Sequence, residues 1–358
     1  MNERRSFLSH CGKFPAAGFI LSLILGLSFS VKATDASYKM DFDGDGKTDI
    51  GVYRAGQRNV IPLPPSYFYV LGSQNNNLIA QHWGRAYDIH TPADYDGDGK
   101  TDFGIFRWID DDLSPSARHF WINFSLGGHT ATELSGFGNI ISRNYFDDEK
   151  AEIAVFDRYD VSKDPTQPCF IWAFYIKPAG SQFALKKDVI NECMPTQAYL
   201  TPAIADYNND GKSDVAVFEY RLSDPHAKHY KIWFSPVSPL YTPPEIVFPF
   251  DIDYPIPGDY DGDGTGDIAG SKNIDGYRLW RIRKSSNTGN VQELYFGFYS
   301  DYPVPGDYDG DGKTDIAVYR PSSGTWYIIR STDLALIQQQ FGLPTDIPLT
   351  MPNSNIYY

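Results

Sequence analysis

Five short segments of the sequence carry oxygen-bearing side chains at spacings that suit a metal ion. They start at residues 41, 94, 206, 259 and 307, and each has Asp or Asn at positions 1, 3, 5 and 9 and Gly at position 6. Cations of calcium size take six to eight oxygen ligands in a compact, flexible cage. A curled nine-residue loop directs alternate side chains inward, the position 7 carbonyl adds an oxygen, and Gly at position 6 permits the sharp turn. The sequence therefore predicts about five calcium sites.

The predicted ligands of each loop are four side chains and one backbone carbonyl. They are Asp41, Asp43, Asp45, Lys47 and Asp49; Asp94, Asp96, Asp98, Lys100 and Asp102; Asp206, Asn208, Asp210, Lys212 and Asp214; Asp259, Asp261, Asp263, Thr265 and Asp267; Asp307, Asp309, Asp311, Lys313 and Asp315. A single Asp-x-Asp-Gly would indicate only a hairpin turn, but like charges crowded in five copies repel one another without a cation. Position 12 of the first loop is Val52, where an EF-hand has a bidentate Glu. We therefore expect calcium loops carried by β-strands.

The charge balance agrees with this interpretation. Nineteen of the 45 Asp and Glu residues occupy the predicted ligand positions, which leaves 26 acidic residues against 31 Lys and Arg. Outside the loops the chain is slightly basic, although its formal net charge is −14. The acidity is therefore assigned to metal binding rather than to a surface for a basic partner, and no nucleic-acid partner is expected.

A sixth, degraded copy spans residues 144–152. Phe146 replaces a ligand and Glu149 replaces the Gly of position 6, so we expect this loop to hold no metal. The same unit contains Cys169 and Cys193, which are equidistant from residue 181. A symmetric hairpin would place them opposite each other, and an exported chain with an even cysteine number favours a disulfide. We hypothesise that this disulfide replaces the missing calcium.

The elements around the loops repeat with them, at intervals of 48 to 62 residues. Each loop is followed by a short alternating apolar run, an aromatic run, a third run that often ends in aromatic-Gly such as Trp83-Gly84, and an Asp-x-Pro segment. Four β-type runs separated by Gly, Pro and Asn describe a four-stranded antiparallel sheet. Such units repeated around an axis form a β-propeller. The fold class is therefore all-β, a propeller of six four-stranded blades, with seven as the alternative.

The end of the chain predicts how the ring closes. The last unit continues through residues 346–352 with no acidic loop after it, whereas the first unit lacks this segment. We expect the C-terminal segment to supply the innermost strand of the first blade and to close the ring. The alternative is that residues 36–40 form that strand.

Residues 1–33 have the features of an export signal. Arg4, Arg5 and Lys13 make a basic region that precedes an apolar stretch at residues 16–30. Residues 31–33, which end with Ala33, provide the cleavage positions. Residues 4–8, Arg-Arg-Ser-Phe-Leu, resemble a twin-arginine signal. An ordinary secretory signal and an uncleaved anchor are the alternatives. The expected mature protein is one propeller domain of residues 34–358, periplasmic or extracellular, and no other segment approaches membrane length.

The unit resembles the FG-GAP/VCBS-type repeat of integrin-α-like β-propellers. The aromatic-Gly pairs, the Asp-x-Pro segments and the five acidic loops carry the resemblance, which extends over residues 36–352. It implies a calcium-stabilised propeller with calcium held between the first and second strands of a blade. It does not imply one activity, since such relatives include adhesion modules, lectins and polysaccharide-cleaving enzymes.

Loop lengths predict a ligand face. The connections between the second and third strands are long at residues 55–66, 108–118, 159–168 and 222–228 but short at 273–276 and 321–324. Blades 1 to 4 would then build a binding surface opposite the metals, with simple drift of surface loops as the alternative. The candidate ligand contacts are Trp108, Asp110, Asp111, Asp112 and Arg118. The recurring central-run aromatics are assigned to core packing rather than to sugar stacking: Tyr69, Trp121, Trp172, Trp233, Trp280 and Trp326.

No catalytic motif accompanies these features. The sequence has no Gly-x-Ser-x-Gly, no His-Glu-x-x-His and no phosphate-binding loop, while a carboxylate or Tyr/Arg active site would carry no such signature. Catalysis therefore stays open. The expected function is an exported adhesion or recognition module with structural calcium and an extracellular glycan or protein ligand. The alternative is a lectin-like or polysaccharide-lyase-like protein.

Overall fold

The computed structural model describes residues 39–349 except for residues 109–117, 134–138, 147, 161–169, 178–184, 191–197, 222–223, 235–244 and 248–250. These residues belong to one unit, Ala33–Tyr358. The predicted signal, the two cysteines Cys169 and Cys193, and the candidate contacts Asp110, Asp111 and Asp112 lie outside the described residues. Within the described part, no helix is long and apolar enough to cross a membrane.

In the described part of the chain, 24 strands form six four-stranded antiparallel sheets that are arranged as the blades of a propeller. Blade 1 contains β24 (Ile347–Pro348), β1 (Ile50–Arg54), β2 (Pro65–Leu71) and β3 (Leu78–Arg85). Blade 2 contains β4 (Ile89–His90), β5 (Phe103–Trp108), β6 (Arg118–Asn123) and β7 (His129–Glu133). Blade 3 contains β8 (Asn139–Ile140), β9 (Ile153–Asp160), β10 (Phe170–Lys177) and β11 (Leu185–Ile190).

The other three blades have the same strand order. Blade 4 contains β12 (Ala198–Pro202), β13 (Val215–Arg221), β14 (Asp224–Trp233) and β15 (Glu245–Val247). Blade 5 contains β16 (Tyr254–Pro255), β17 (Ile268–Ile274), β18 (Tyr277–Arg283) and β19 (Val291–Phe298). Blade 6 contains β20 (Tyr302–Pro303), β21 (Ile316–Arg320), β22 (Thr325–Ile329) and β23 (Leu336–Gln340). The prediction of six four-stranded blades is confirmed.

The C-terminal segment closes the ring as expected. Its strand β24 pairs with β1 through Tyr53 and Ile347, and the amide of Leu349 donates to the carbonyl of Gly51 at 2.8 Å. A Cβ at Gly51 would lie 2.7 Å from the Leu349 side chain. Gly51 therefore lets the chain end approach the first blade closely.

The hydrophobic core lies in the seams between neighbouring blades. Tyr53 and Phe68 of blade 1 pack with Ile105 of blade 2, and Trp280 of blade 5 packs with Val318 of blade 6. Each of these residues is almost fully buried. Burying both faces of each sheet in this way explains the continuous apolar runs of the second and third strands.

One predicted loop is wrong. Residues 222–228 were expected to form a long connection, but β13 ends at Arg221 and β14 begins at Asp224, so only residues 222–223 connect them. Arg221 and Asp224 are paired in the ladder. The segment is polar, so its composition gave no sign that it extends the hairpin. In the described part of the chain, only residues 55–64 form a long connection between the second and third strands of a blade.

The central-run aromatics do not occupy equivalent positions. Trp233, Trp280 and Trp326 are buried, which confirms their assignment to the core. Trp280 pairs with Ser271 in blade 5, and Trp326 pairs with Tyr319 in blade 6. In blade 2 the equivalent position is occupied by Phe120, which pairs with Phe106. Trp121 follows Phe120 and, like Tyr69 in blade 1, is only half-buried. A shift of one residue places a side chain on the other face of a strand.

Candidate metal centres and the opposite ends of the strands

The acidic loops connect the first strand to the second in blades 2 to 6, and in blade 1 the loop directly precedes the second strand, β1, because the first strand, β24, comes from the chain end. A ladder bridge closes the base of most of them, such as Ala93 with Asp102 and Gly306 with Asp315. In the first loop the amide of Asp49 donates to the carbonyl of Met40 at 2.7 Å. Each loop is thus a nine-residue excursion held between two strands.

Four loops bring three carboxylates together, with oxygens within 4.8 Å of one another. The groups are Asp41, Asp43 and Asp45; Asp94, Asp96 and Asp102; Asp259, Asp261 and Asp263; and Asp307, Asp309 and Asp311. In the loop at residue 206, Asn208 replaces one carboxylate and its amide donates to Asp210 at 3.4 Å. Predicted positions 1, 3 and 5 therefore converge in three loops, and positions 1, 3 and 9 converge in the second.

Hydrogen bonds to the position 1 carboxylate shape the loop. In the sixth blade, Asp307 accepts from the amides of Gly310 at 2.6 Å and Gly312 at 3.1 Å. Both glycines have left-handed φ angles, 81° and 84°. The predicted need for glycine at position 6 agrees with this geometry, and position 4 has the same need. In the fourth blade Asn209 fills position 4 with a φ of 58°.

The position 9 carboxylate anchors the loop to its own blade. Asp49 accepts from the amide of Phe42 at 2.7 Å and from that of Ser73 at 2.6 Å. Asp315 likewise accepts from Tyr308 at 2.9 Å and from Ser331 at 2.6 Å. This carboxylate therefore holds the loop against the turn between the third and fourth strands.

Serines in those turns were missed at the sequence level. Their hydroxyls donate to the position 5 carboxylates, Ser73 to Asp45 at 2.8 Å and Ser331 to Asp311 at 2.8 Å. Ser125 and Ser285 make the equivalent contacts in blades 2 and 5. Each serine follows the end of the third strand by two residues. That fixed offset was the available signal.

The electrostatics of the loops favour a bound cation. Burial raises the pKa of Asp49 to about 6, and the charge of Asp43 adds to the shift. Burial and the charge of Asp96 likewise raise the pKa of Asp102 to about 7. The buried Oδ1 atoms of Asp43 and Asp261 have no hydrogen-bond partner among the residues that the structure describes. A divalent cation would neutralise these carboxylates and satisfy those oxygens, so the donor set fits calcium.

The six loops are joined in a closed ring of backbone hydrogen bonds. In each, the amide of position 8 donates to the position 1 carbonyl of the preceding blade, at 2.6 to 2.7 Å. The pairs are Thr101 to Asp41, Ala151 to Asp94, Ser213 to Asn144, Gly266 to Asp206, Thr314 to Asp259 and Thr48 to Asp307. Lysines add contacts between loops, such as Lys100 to the carbonyl of Asp43 at 3.0 Å.

The degraded third loop takes part in this ring. Glu152 accepts a hydrogen bond from the amide of Tyr145 at 2.7 Å, as the position 9 Asp does from the equivalent amide in the intact loops. Glu149 adopts the left-handed φ of 59° that the intact loops give to glycine. That this loop holds no metal remains a prediction.

At the opposite ends of the strands, Arg–Asp pairs fix the Asp-x-Pro segments. Both oxygens of Asp346 accept from Arg54 at 2.7 Å, and Asp301 accepts from Arg320 at 3.0 and 2.9 Å. In blade 2, Arg107 binds Asp88 in the same way, although the corresponding segment there is Asp-Ile-His. Each aspartate is almost fully buried. These pairs, which the sequence interpretation missed, hold the first strand of a blade to its second.

The predicted ligand contacts are only partly placed. Trp108 ends β5 and Arg118 begins β6, and the two are paired across the ladder. Their side chains, like Asp110, Asp111 and Asp112, lie outside the described residues. Their role stays a prediction.

Comparison with known proteins locates one repeat. The FG-GAP repeat family model matches residues 303–333, which carry the acidic loop and the two central strands of blade 6. No curated protein matches the chain. A solved structure from Bacteroides fragilis, described as a candidate 6-phosphogluconolactonase, is similar at 10% identity and a TM-score of 0.34, over 85% of this chain and 96% of that one. That similarity carries no argument about function. Residues 303–333 are thus an FG-GAP repeat that forms part of one blade in a six-bladed β-propeller, which supports an FG-GAP-type repeat protein.

Proposed function

We propose that the protein is an exported recognition module whose propeller is stabilised by calcium. The observation that carries the proposal is the convergence of three carboxylates within 4.8 Å in four separate loops. Such oxygen-only groups suit hard divalent cations. The blade ring and the FG-GAP match support a propeller used for recognition.

Calcium has a structural role in this proposal. At millimolar calcium, sites with dissociation constants of roughly 0.1–1 mM each stabilise the fold by about 1 kcal/mol. Several such sites together would be comparable to the net stability of a domain. Because the loops are hydrogen-bonded in a ring, loss of calcium would loosen the centre of the propeller rather than one isolated loop.

The ligand is proposed to be an extracellular glycan or protein. Loops between the second and third strands lie opposite the metal loops, and residues 55–64 form a long one in blade 1. Exposed Val60, Ile61 and Leu63 in this loop are unusual on a solvated rim. A lectin-like or lyase-like activity is the second candidate, and release of unsaturated oligosaccharide ends would distinguish a lyase.

Thermal unfolding tests the calcium role directly. The purified protein would be melted in EDTA, in millimolar calcium and in excess magnesium. We expect a rise of several degrees with calcium alone, and a smaller rise in an Asp261→Ala/Asp309→Ala double variant. An equal melting temperature in all three solutions would mean that the acidic loops are turns without a metal role.

A further inference from the structure

A crevice of about 670 Å³ opens in the seam between blades 1 and 2, and no residue of the acidic loops lines it. Its walls include Trp83 and Arg85 at the end of β3 and Trp121 and His129 from blade 2. We propose that this crevice binds an acidic glycan, a carbohydrate whose sugars bear carboxylates. The inference rests on the proposed recognition function and names its ligand class and its site.

Two indole rings provide flat apolar surface in the crevice. Trp121 is half-buried because its register places it one residue beyond the core position that Phe120 fills. The indole of Trp83 donates from Nε1 to the carbonyl of Trp121 at 3.1 Å, across the seam. This bond fixes the Trp83 ring against blade 2. Rigid aromatic faces pack well on the C–H faces of sugar rings, which are polar only at their edges.

The same positions in another seam show that the crevice residues are not a requirement of the fold. At the seam between blades 6 and 1, the corresponding aromatics are Phe341 and Tyr69, which pack against the core as Trp83 and Trp121 do, so the fold needs an aromatic there but not a tryptophan. There, Gln340 precedes the aromatic-Gly pair, where the crevice has His82 before Trp83. Blade closure thus needs an aromatic at each position. The two tryptophans and His82 distinguish the seam of blades 1 and 2 from the seam of blades 6 and 1.

The charges around the crevice favour an anion. Arg85 is exposed, and no carboxylate among the described residues pairs with it. Arg107 is held by Asp88 at 2.8 and 2.6 Å and lies 5.6 Å from the centre of the Trp121 ring. None of the residues that line the crevice is acidic, and exposed His82 and His129 stand beside the tryptophans. A free guanidinium binds a carboxylate through paired hydrogen bonds, so Arg85 would select an acidic sugar.

Binding to matched glycans tests the proposal. The probes are oligosaccharides of galacturonic, glucuronic and mannuronic acid, each beside its methyl ester, measured by calorimetry in millimolar calcium. We expect at least one acidic oligosaccharide to bind and its methyl ester to bind at least tenfold more weakly. Failure of all three acids, or equal binding of acid and ester, would overturn the proposal.

Substitutions place the binding in the crevice. Trp121→Ala and Arg85→Gln should each weaken binding at least tenfold, and Trp121→Phe should restore part of it. The controls are Tyr327→Ala, at the register of Trp121 in blade 6, and Arg283→Gln in blade 5. Unchanged binding in both crevice variants would place the glycan elsewhere. Calcium-dependent melting of every variant separates a folding defect from lost contacts, and shows whether the calcium role stands if the glycan fails to bind.

Discussion

The amide of Thr48 donates to the carbonyl of Asp307 at 2.7 Å, across the seam where the sixth blade meets the first. This bond completes a ring of six that links every acidic loop to its neighbour. Position 1 of each of the five intact loops therefore serves two loops at once, because its carboxylate shapes its own loop while its carbonyl holds the next. These six bonds join backbone atoms only, so they do not depend on the side chains at positions 1 and 8. The degraded third loop and Gly266, which has no side chain, can therefore take part.

The backbone conformation of the acidic loops predicts that replacing a glycine lowers stability even where an added side chain would meet no steric clash. Gly312 has a φ of 84°, and an added Cβ would meet no atom within 4 Å. Gly312→Ala should therefore destabilise the protein by about 1–2 kcal/mol through backbone strain alone. Denaturant unfolding would measure it, with Gly289→Ala as the control because Gly289 has no left-handed φ and only Asn287 nearby. Equal stability of the two variants would contradict this account of the loop.

The Arg–Asp pairs should contribute strongly to stability. The Asp301 side chain is 1% exposed and accepts from Arg320 and from the amide of Phe298. Asp301→Ala removes these bonds and leaves a cation at a partly buried site, which should cost about 3 kcal/mol in unfolding free energy. Arg330→Gln, which breaks the exposed pair with Asp333 but keeps the bond that Asp333 accepts from the amide of Ala335, should have no measurable effect. A small loss for Asp301→Ala would show that the pair is dispensable for closing a blade.

Glu152 should make stability depend on pH. Burial raises its pKa from 4.5 to about 8. The folded state thus holds the proton more tightly than the unfolded state. The resulting stability is present below pH 4.5 and is lost as pH rises through 8. Glu152→Gln should flatten this decline and be more stable than the wild type above pH 8, by roughly 5 kcal/mol. Unfolding free energies between pH 5 and 9 test it, with exposed Glu133→Gln as the control, and parallel profiles of Glu152→Gln and wild type would refute it.

The serines of the metal loops should affect calcium affinity without being ligands. Ser331 donates to Asp311 through its hydroxyl and orients that carboxylate. Loss of such a supporting bond typically weakens metal binding about tenfold. We expect Ser331→Ala to weaken one site by that factor in a calcium titration. Ser323→Ala, which lies in the connection between β21 and β22, should leave the titration unchanged, and equal titrations for both variants would rule out the supporting role.

The sequence predicted what is local and repeated. The acidic loops lie within nine residues, and six copies at similar intervals fix the number of blades and the closing strand. The Arg–Asp pairs escaped because each joins two different strand ends, 19 residues apart in blades 2 and 6 and 292 residues apart for Arg54 and Asp346, and nothing local in the sequence marks the partners. Ser331 escaped because loop lengths vary between the acidic loop and the turn, which hides its constant offset from the third strand. Trp121 packs against the core as predicted but also lines the crevice, because a shift of one residue from Phe120, invisible in composition, places it on the other face of the strand.

Calcium stoichiometry tests the central claim most directly. Equilibrium dialysis of the purified protein against millimolar calcium, with excess magnesium present, counts the ions bound per chain. The account predicts about five calcium ions, and the loss of one in Asp309→Ala. Fewer than one ion per chain would contradict the calcium role of the ring of loops.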